Sequence, residues 1–280
     1  MMYRLAILLP ASLLIFTAAL VSSQGIPSPG SDAVSATLTV QAPGVWKSIH
    51  KGIEFRSMTL ARSESNNSVE LKLLRFDTRR VAPRVIRSGH YQLTGGDVKN
   101  LAALSGAIAM INANYFDEKG RPLGFLKVGA QVINANISKS SLFTGIFGIA
   151  EKGPFIRHRD EFQPSDAPEA IQAGPLLLNH GAVLRITRGQ GRQSRRALIG
   201  IDNKQRVIVG VTDAIFGGLA WAELQALFSN PKWQLKTPDL LNLDGGGSAQ
   251  LYIKIHGLEE FVAGTSEVPV ALGFFIKKTQ

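Results

Sequence analysis

Along most of this chain apolar residues come in short runs rich in Val, Ile, Leu and Phe, separated by polar stretches with Gly, Pro, Asn or Asp. That is the spacing of strands rather than of helices. Residues 53–62 and 69–77 are two such runs around the polar turn 63–68, and they are expected to pair as a hairpin. Further strands are expected at 107–111, 142–150, 176–178, 182–186, 197–202, 207–212, 240–244, 249–255 and 268–276. Helical spacing is scarce. Asp97 stands where an N-cap belongs, ahead of a short helix reaching Leu104. Trp221, Leu224, Leu227 and Phe228 form the apolar stripe of a core-covering helix over 219–229, which Pro231 ends. The pattern predicts a sheet-rich α+β domain with a few packed helices over 37–280; a subregion ending near Gly96 is the other division.

The N-terminus follows a different pattern. Arg4 precedes an almost wholly apolar stretch, 5–21, and Val21-Ser22-Ser23 supplies small residues, so 1–23 reads as an export signal cleaved near Gln24. An uncleaved anchor is the alternative, because the stretch approaches the roughly 17–25 residues that span a bilayer. Residues 24–36, rich in Gly, Pro and Ser, read as a flexible linker. The protein is expected to be periplasmic or secreted, with no membrane contact after cleavage.

Composition narrows the chemistry. The absence of cysteine excludes disulfides, thiol nucleophiles and Cys-ligated zinc. Lys and Arg outnumber Asp and Glu by 31 to 21, a net charge of +10, which draws the protein to anionic polymers. The basic residues are dispersed rather than gathered on a recognition helix, so glycans or phosphodiesters of the cell envelope fit better than nucleic acid. A basic surface serving solubility alone is the other reading.

Four polar clusters stand where apolar runs end: 112–117 with its tail Gly120, Pro122 and Gly124; 172–175; Arg195 and Arg196 with Asp213 closing the following strand; and 244–248, Asp-Gly-Gly-Gly-Ser. The last admits two readings. It can be a tight hairpin capped by its own Asp and Ser, or successive glycine amides can form a nest for an anion.

In kind and order the clusters resemble the phosphodiester glycosidase family. The likeness rests on Asn112, Phe116, Asp117 and Gly124, on Gly174 and Pro175, on Arg196 and Gly200, on Asp213, on Gly218, Leu219 and Glu223, and on Asp244 through Ser248. It covers about 107–276. It implies an exported hydrolase of a sugar-1-phosphodiester or related glycosidic bond in an envelope glycan, with homologues tied to exopolysaccharides. Three departures bear on activity: Ala113 in place of Gly, Ala214 and Ile215 in place of Gly-Arg, and Ala220 in place of a hydroxyl residue. They keep open a non-catalytic protein of glycan binding or exopolysaccharide assembly with the same pocket.

A sugar-1-phosphodiester needs donors for its phosphate oxygens and a carboxylate near the anomeric carbon. Asp244, Asp213 and Asp117 are the catalytic candidates, each with an alternative as a loop cap. Arg196 could grip phosphate bidentately, with amides of Gly245, Gly246 and Gly247 beside it. Asn112, Gly174 and Ser248 complete the expected binding set; no G-x-S-x-G elbow makes Ser248 a nucleophile. No cofactor or metal is expected: His50, His90, His158, His180 and His256 are scattered, with no H-E-x-x-H and no Walker loop. His180, close behind Gly174-Pro175, is the histidine best placed for a role.

Overall fold

Strands Ile53–Arg62 and Ser68–Phe76 pair antiparallel, with Ile53 opposite Phe76 and Ala61 opposite Ser68, as the hydrophobic pattern predicts. The computed structural model describes residues 38–62, 68–214 and 217–278. The expected signal and linker, and Ile215, lie outside the described residues.

The hairpin belongs to a nine-stranded antiparallel sheet. Next to Ser68–Phe76 come Val207–Asp213, Ala197–Ile201, Asp239–Asn242, Leu176–Asn179 and Ala182–Val183. A five-stranded sheet contains Gly145–Ala150 and Glu169–Ala173; another contains Leu251–Ile255, Ala109–Asn112 and Val270–Ile276. One core joins all three. Alternate residues Ala197, Ile199 and Ile201, with Val207, Val209 and Val211, enter it beside Phe147, Ile171, Ile111 and Leu272. Leu198 and Ile208, on the opposite face, pack with Leu224, Leu227 and Phe228 of helix Trp221–Ser229. Both faces of these strands are therefore buried, which explains their unbroken apolar sequence. Phe76 and Phe274 stack across the shared core with ring centres 4.1 Å apart.

Helix Val98–Ser105 begins where expected, the Asp97 carboxylate accepting from the Asn100 amide at 2.7 Å. It buries Val98, Leu101 and Ala102 against Met110, Tyr252 and Ala271. The sheet-rich expectation holds, while the α+β label fits only loosely: two short α-helices cover sheets that dominate the described residues. No helix among the described residues is long and apolar enough to cross a membrane.

Several strands carry too much charge for hydrophobic patterning to reveal them. Val81–Arg87 is held by Glu169, which accepts from the Val85 amide at 2.6 Å and from Arg84 at 3.0 Å. Leu258–Val262 carries Glu259 and Glu260, paired with Lys99 and Lys72. The expected strand 182–186 stops at Val183, because Gln225 of the outer helix takes the Leu184 carbonyl at 2.7 Å.

Candidate active site

The Asp-Gly-Gly-Gly-Ser run is not a hairpin. It leaves strand Asp239–Asn242 of the large sheet and enters Leu251–Ile255 of a different sheet, so it crosses the mouth of the shared core. Asn112, fully buried, ties the crossing down: its Nδ2 donates to the Asp244 carbonyl at 2.7 Å, and its Oδ1 accepts from the Gln250 amide at 3.0 Å. The Asp244 amide donates to the Ala113 carbonyl at 3.0 Å, so the side chain at this departure leaves the anchoring bond intact.

One amide of the envisaged anion nest is already engaged. The Gly246 amide donates to the Arg195 carbonyl at 2.9 Å, while the Gly245 amide bears on the Asp244 carboxylate and draws its pKa down. A Cβ on Gly245 would stand 2.7 Å from the Arg195 carbonyl oxygen, a backbone atom that cannot yield, and one on Gly247 would stand 2.6 Å from the hydroxyls of Thr265 and Ser266. The run is glycine-rich because it is clamped between neighbouring loops. Arg195 supplies part of the clamp, its Nη2 donating to the carbonyls of Ala249 and Ala263.

Adjacent Arg196 extends into a cavity of about 460 Å³. Asp244, Gly245 and Gly246 form one side; Tyr115, Ser141, Leu142 and Pro175 another; Arg188, Arg192, Ser194 and Trp221 face them. Arg196 is buried, its Nε donating to the Leu219 carbonyl at 2.7 Å and its Nη2 to the Arg192 carbonyl. Trp221 lies under the guanidinium, 4.7 Å from ring centre to Cζ. These bonds occupy the Nε edge of the fork. The end-on edge, Nη1 with the second hydrogen of Nη2, remains for an anion. No carboxylate pairs with Arg196 among the described residues, and burial lowers its pKa to about 10.

Asp244 is the one carboxylate lining this cavity among the described residues. Burial raises its pKa to about 6, against the opposing pull of the Ser248 hydroxyl and the Gly245 amide. Three arginines and a single, reluctantly charged acid line this cavity. Tyr115 joins the walls: its hydroxyl lies 2.9 Å from the Gly174 carbonyl and 3.2 Å from that of Leu243, and accepts from Asn242 Nδ2 at 3.0 Å. Burial, then the charge of Asp244, pushes its phenol pKa upward, so it remains protonated. Gly174 lets the Leu142 carbonyl pack against this wall; a Cβ there would meet it at 1.9 Å.

Not every expected residue converges. Asp213 ends its strand in an ion pair with Lys72 at 3.0 Å, and Lys72 also holds Glu260 at 2.9 Å. Thr212, pointing the other way, is the residue that reaches Arg196, accepting from its amide at 2.7 Å. Asp117 lies in a separate exposed turn, paired with Arg121 at 2.7 Å. His180 is exposed near Asp239, outside the cavity. The expectation that Asp117 and Asp213 meet Asp244 is thus corrected, whereas Asn112, Arg196, Gly174, the glycines and Ser248 gather at or behind one cavity.

Sequence reading missed Tyr115, Trp221, Arg188 and Arg192. It also missed two structural uses of motif residues. Gln172 donates to the carbonyls of Ser138 and Phe143 at 2.8 Å and accepts from the Phe125 and Ser138 amides, fixing the wall that carries Ser141 and Leu142. Glu223 caps the outer helix by accepting from the Ala220 amide at 2.7 Å and pairs with Arg62 at 2.7 Å, supplying the carboxylate half of a capping box whose hydroxyl half Ala220 lacks.

Among the described residues no three His, Asp or Glu side chains gather as a metal cluster. The family model described as phosphodiester glycosidase matches residues 105–277. No curated protein matches. Several solved structures share the fold, two of them as follows. The catalytic domain of zebrafish N-acetylglucosamine-1-phosphodiester alpha-N-acetylglucosaminidase, auto-inhibited by its pro-peptide, is 17% identical with a TM-score of 0.62, over 87% of this chain and 89% of its own. A hypothetical protein from Synechocystis is 14% identical with a TM-score of 0.63, over 84% of this chain; this chain spans 64% of that protein's length.

Proposed function

Because the chain belongs to the phosphodiester glycosidase family, matched over residues 105–277, we propose that it is an exported hydrolase of a sugar-1-phosphodiester, working in the Asp244 cavity. The observation that carries this reading is the pairing within one cavity of a carboxylate near neutrality in pKa with a buried arginine that has no acidic partner. A sugar-1-phosphodiester supplies the complementary parts, an anion next to an electrophilic carbon. The export component rests on the pattern of residues 1–23.

A lone carboxylate suffices for this substrate class. Glycoside hydrolysis commonly uses a second carboxyl to protonate a poor leaving oxygen. A departing phosphate monoester, whose second pKa is about 6, leaves without that help near neutral pH. In the proposed step Asp244 takes a proton from water as the water oxygen bonds to the anomeric carbon. The carbon–oxygen bond to phosphate breaks, and the phosphate departs onto the free edge of Arg196. Asn112 and Ser248 hold Asp244 in place.

The same assignment sets the pH dependence. Asp244 works ionised, so kcat/KM rises through about pH 6 and levels above it. A profile that is flat between about pH 5 and pH 7 would remove Asp244 from the base role. The alternative, a glycan-binding protein without turnover, draws on the distance of Asp117 and Asp213 from the cavity. Binding of a sugar-1-phosphodiester with no phosphate monoester released would establish that alternative.

A further inference from the structure

The Asp244 cavity does not close at its far wall. A second hollow of about 270 Å³ adjoins it, and Ser141, Pro175, Ile186 and Thr187 line both. Away from Asp244 the second hollow is walled by Arg185 and His158, with no carboxylate among its described lining residues.

The arginines form a series along this path. Residues 185–196 contain five arginines and no Asp or Glu. Arg196 lies at the buried end, Arg192 and Arg188 at the cavity rim, and Arg185 in the second hollow. None of Arg185, Arg188 and Arg192 forms an ion pair among the described residues. The backbone carrying them is anchored: Leu184 at 2.7 Å to Gln225, Gln190 at 3.2 Å to Ala222, and Ser194 at 2.9 Å to Leu219. A row of like charges carried on an anchored backbone repels itself and is relieved by a ligand bearing repeated negative charge.

One phosphodiester carries one negative charge, which Arg196 alone can match. Resting on the reading of Asp244 and Arg196 above, we propose that the substrate is an anionic glycan longer than the reacting diester, and that its next charged unit occupies the second hollow against Arg185. The reacting diester would lie between Asp244 and Arg196, and the chain would pass over Thr187 and Ser141.

Two probes test this: N-acetylglucosamine-1-phosphoryl-methanol, with one charge, and a trimer of N-acetylglucosamine units joined by 1→6 phosphodiesters. Binding of both to D244N and D244N/R185A is measured by calorimetry at low and high salt, and turnover is measured with the wild type and R185A. The trimer is expected to bind D244N about tenfold more tightly than the monomer, and R185A to remove about fivefold of that preference. High salt should shrink the preference. In turnover, R185A should raise KM for the trimer relative to the monomer while kcat for the trimer holds. Equal affinity for the two probes, or an R185A effect of equal size on both, overturns the extended groove even where the monomer is hydrolysed. Arg185-dependent trimer binding with no turnover of either probe supports the groove and sinks the hydrolase. Failure of both probes to bind overturns both.

Discussion

Two loops of this molecule end an apolar segment with an aspartate and treat it in opposite ways. At 117–121, Asp117 Oδ1 accepts the amides of Lys119 and Arg121, both at 2.9 Å, and Oδ2 accepts Arg121 Nε at 2.7 Å. The turn at 202–206 repeats the device: Asp202 accepts Lys204 N at 2.8 Å, Arg206 N at 3.0 Å and Arg206 Nε at 2.8 Å. Both read Asp-x-Lys-x-Arg, and in both the residue before Arg has positive φ, 71° at Gly120 and 59° at Gln205. Asp244 sits in a loop that offers only a hydroxyl and one amide, with no cation. Arg121 holds the Asp117 carboxyl below its ordinary pKa, whereas burial lifts Asp244 to about 6. A carboxylate whose lone pairs are filled by its own turn cannot take a proton without breaking that turn. One left short of partners is available for chemistry.

The largest effect should separate these two aspartates in turnover. D244N is expected to lower kcat by about a thousandfold or more, and D117N to change it by less than about twofold. Steady-state kinetics on a sugar-1-phosphodiester reads both, and equal losses would erase the distinction. Next in size is Arg196. Its Nε and one Nη2 hydrogen hold loop carbonyls while the other edge faces the cavity, a division that lysine cannot reproduce. R196K should therefore cost roughly a hundredfold in kcat/KM.

Stability should carry the same contrast with opposite sign. The folded-state pKa of Asp244, about 6, lies above the unfolded value, so the folded protein carries no cost while the group is protonated in both states. The cost grows as pH rises from the unfolded value towards 6 and is complete above it. Replacing the acid by Asn should therefore stabilise the fold at about pH 8, on the order of 3 kcal/mol, and leave it unchanged near pH 3. Thermal unfolding of D244N and wild type across that range tests the sign. A gain that is largest in acid would contradict the assigned shift.

How much of this was legible follows from the range of each interaction. The hairpin, the Asp97 cap and the doubly buried strands are local patterns, and sequence periodicity displays them. Asp244 was legible because three adjacent glycines mark a backbone under close contact. The division of labour between Arg195 and Arg196 was not, since alternation sends one to the loop carbonyls and the other into the cavity only once their place in the sheet is known. Asp213 misled for the same reason: Thr212 has the face that reaches Arg196. Trp221 fits a helical core stripe in sequence, yet as the first residue of its helix it stands at the cavity wall. Tyr115 was silent because its partners lie 59 and 128 positions away along the chain.

The smallest effects test whether the repeated turn is a structural device in both places. Asp202 is 2% exposed, and its partner Arg206 also holds Glu54 at 2.9 Å. D202N leaves Arg206 half-paired in a buried setting and should cost about 1–3 kcal/mol in denaturant unfolding. Asp117 makes the same bonds in the open, where water replaces whatever the carboxylate gives up. D117N should therefore shift the midpoint far less than D202N, with turnover retained. If D117N instead abolished turnover while its midpoint held, the turn would be part of the site despite its distance from the cavity, and the contrast with Asp244 would fail.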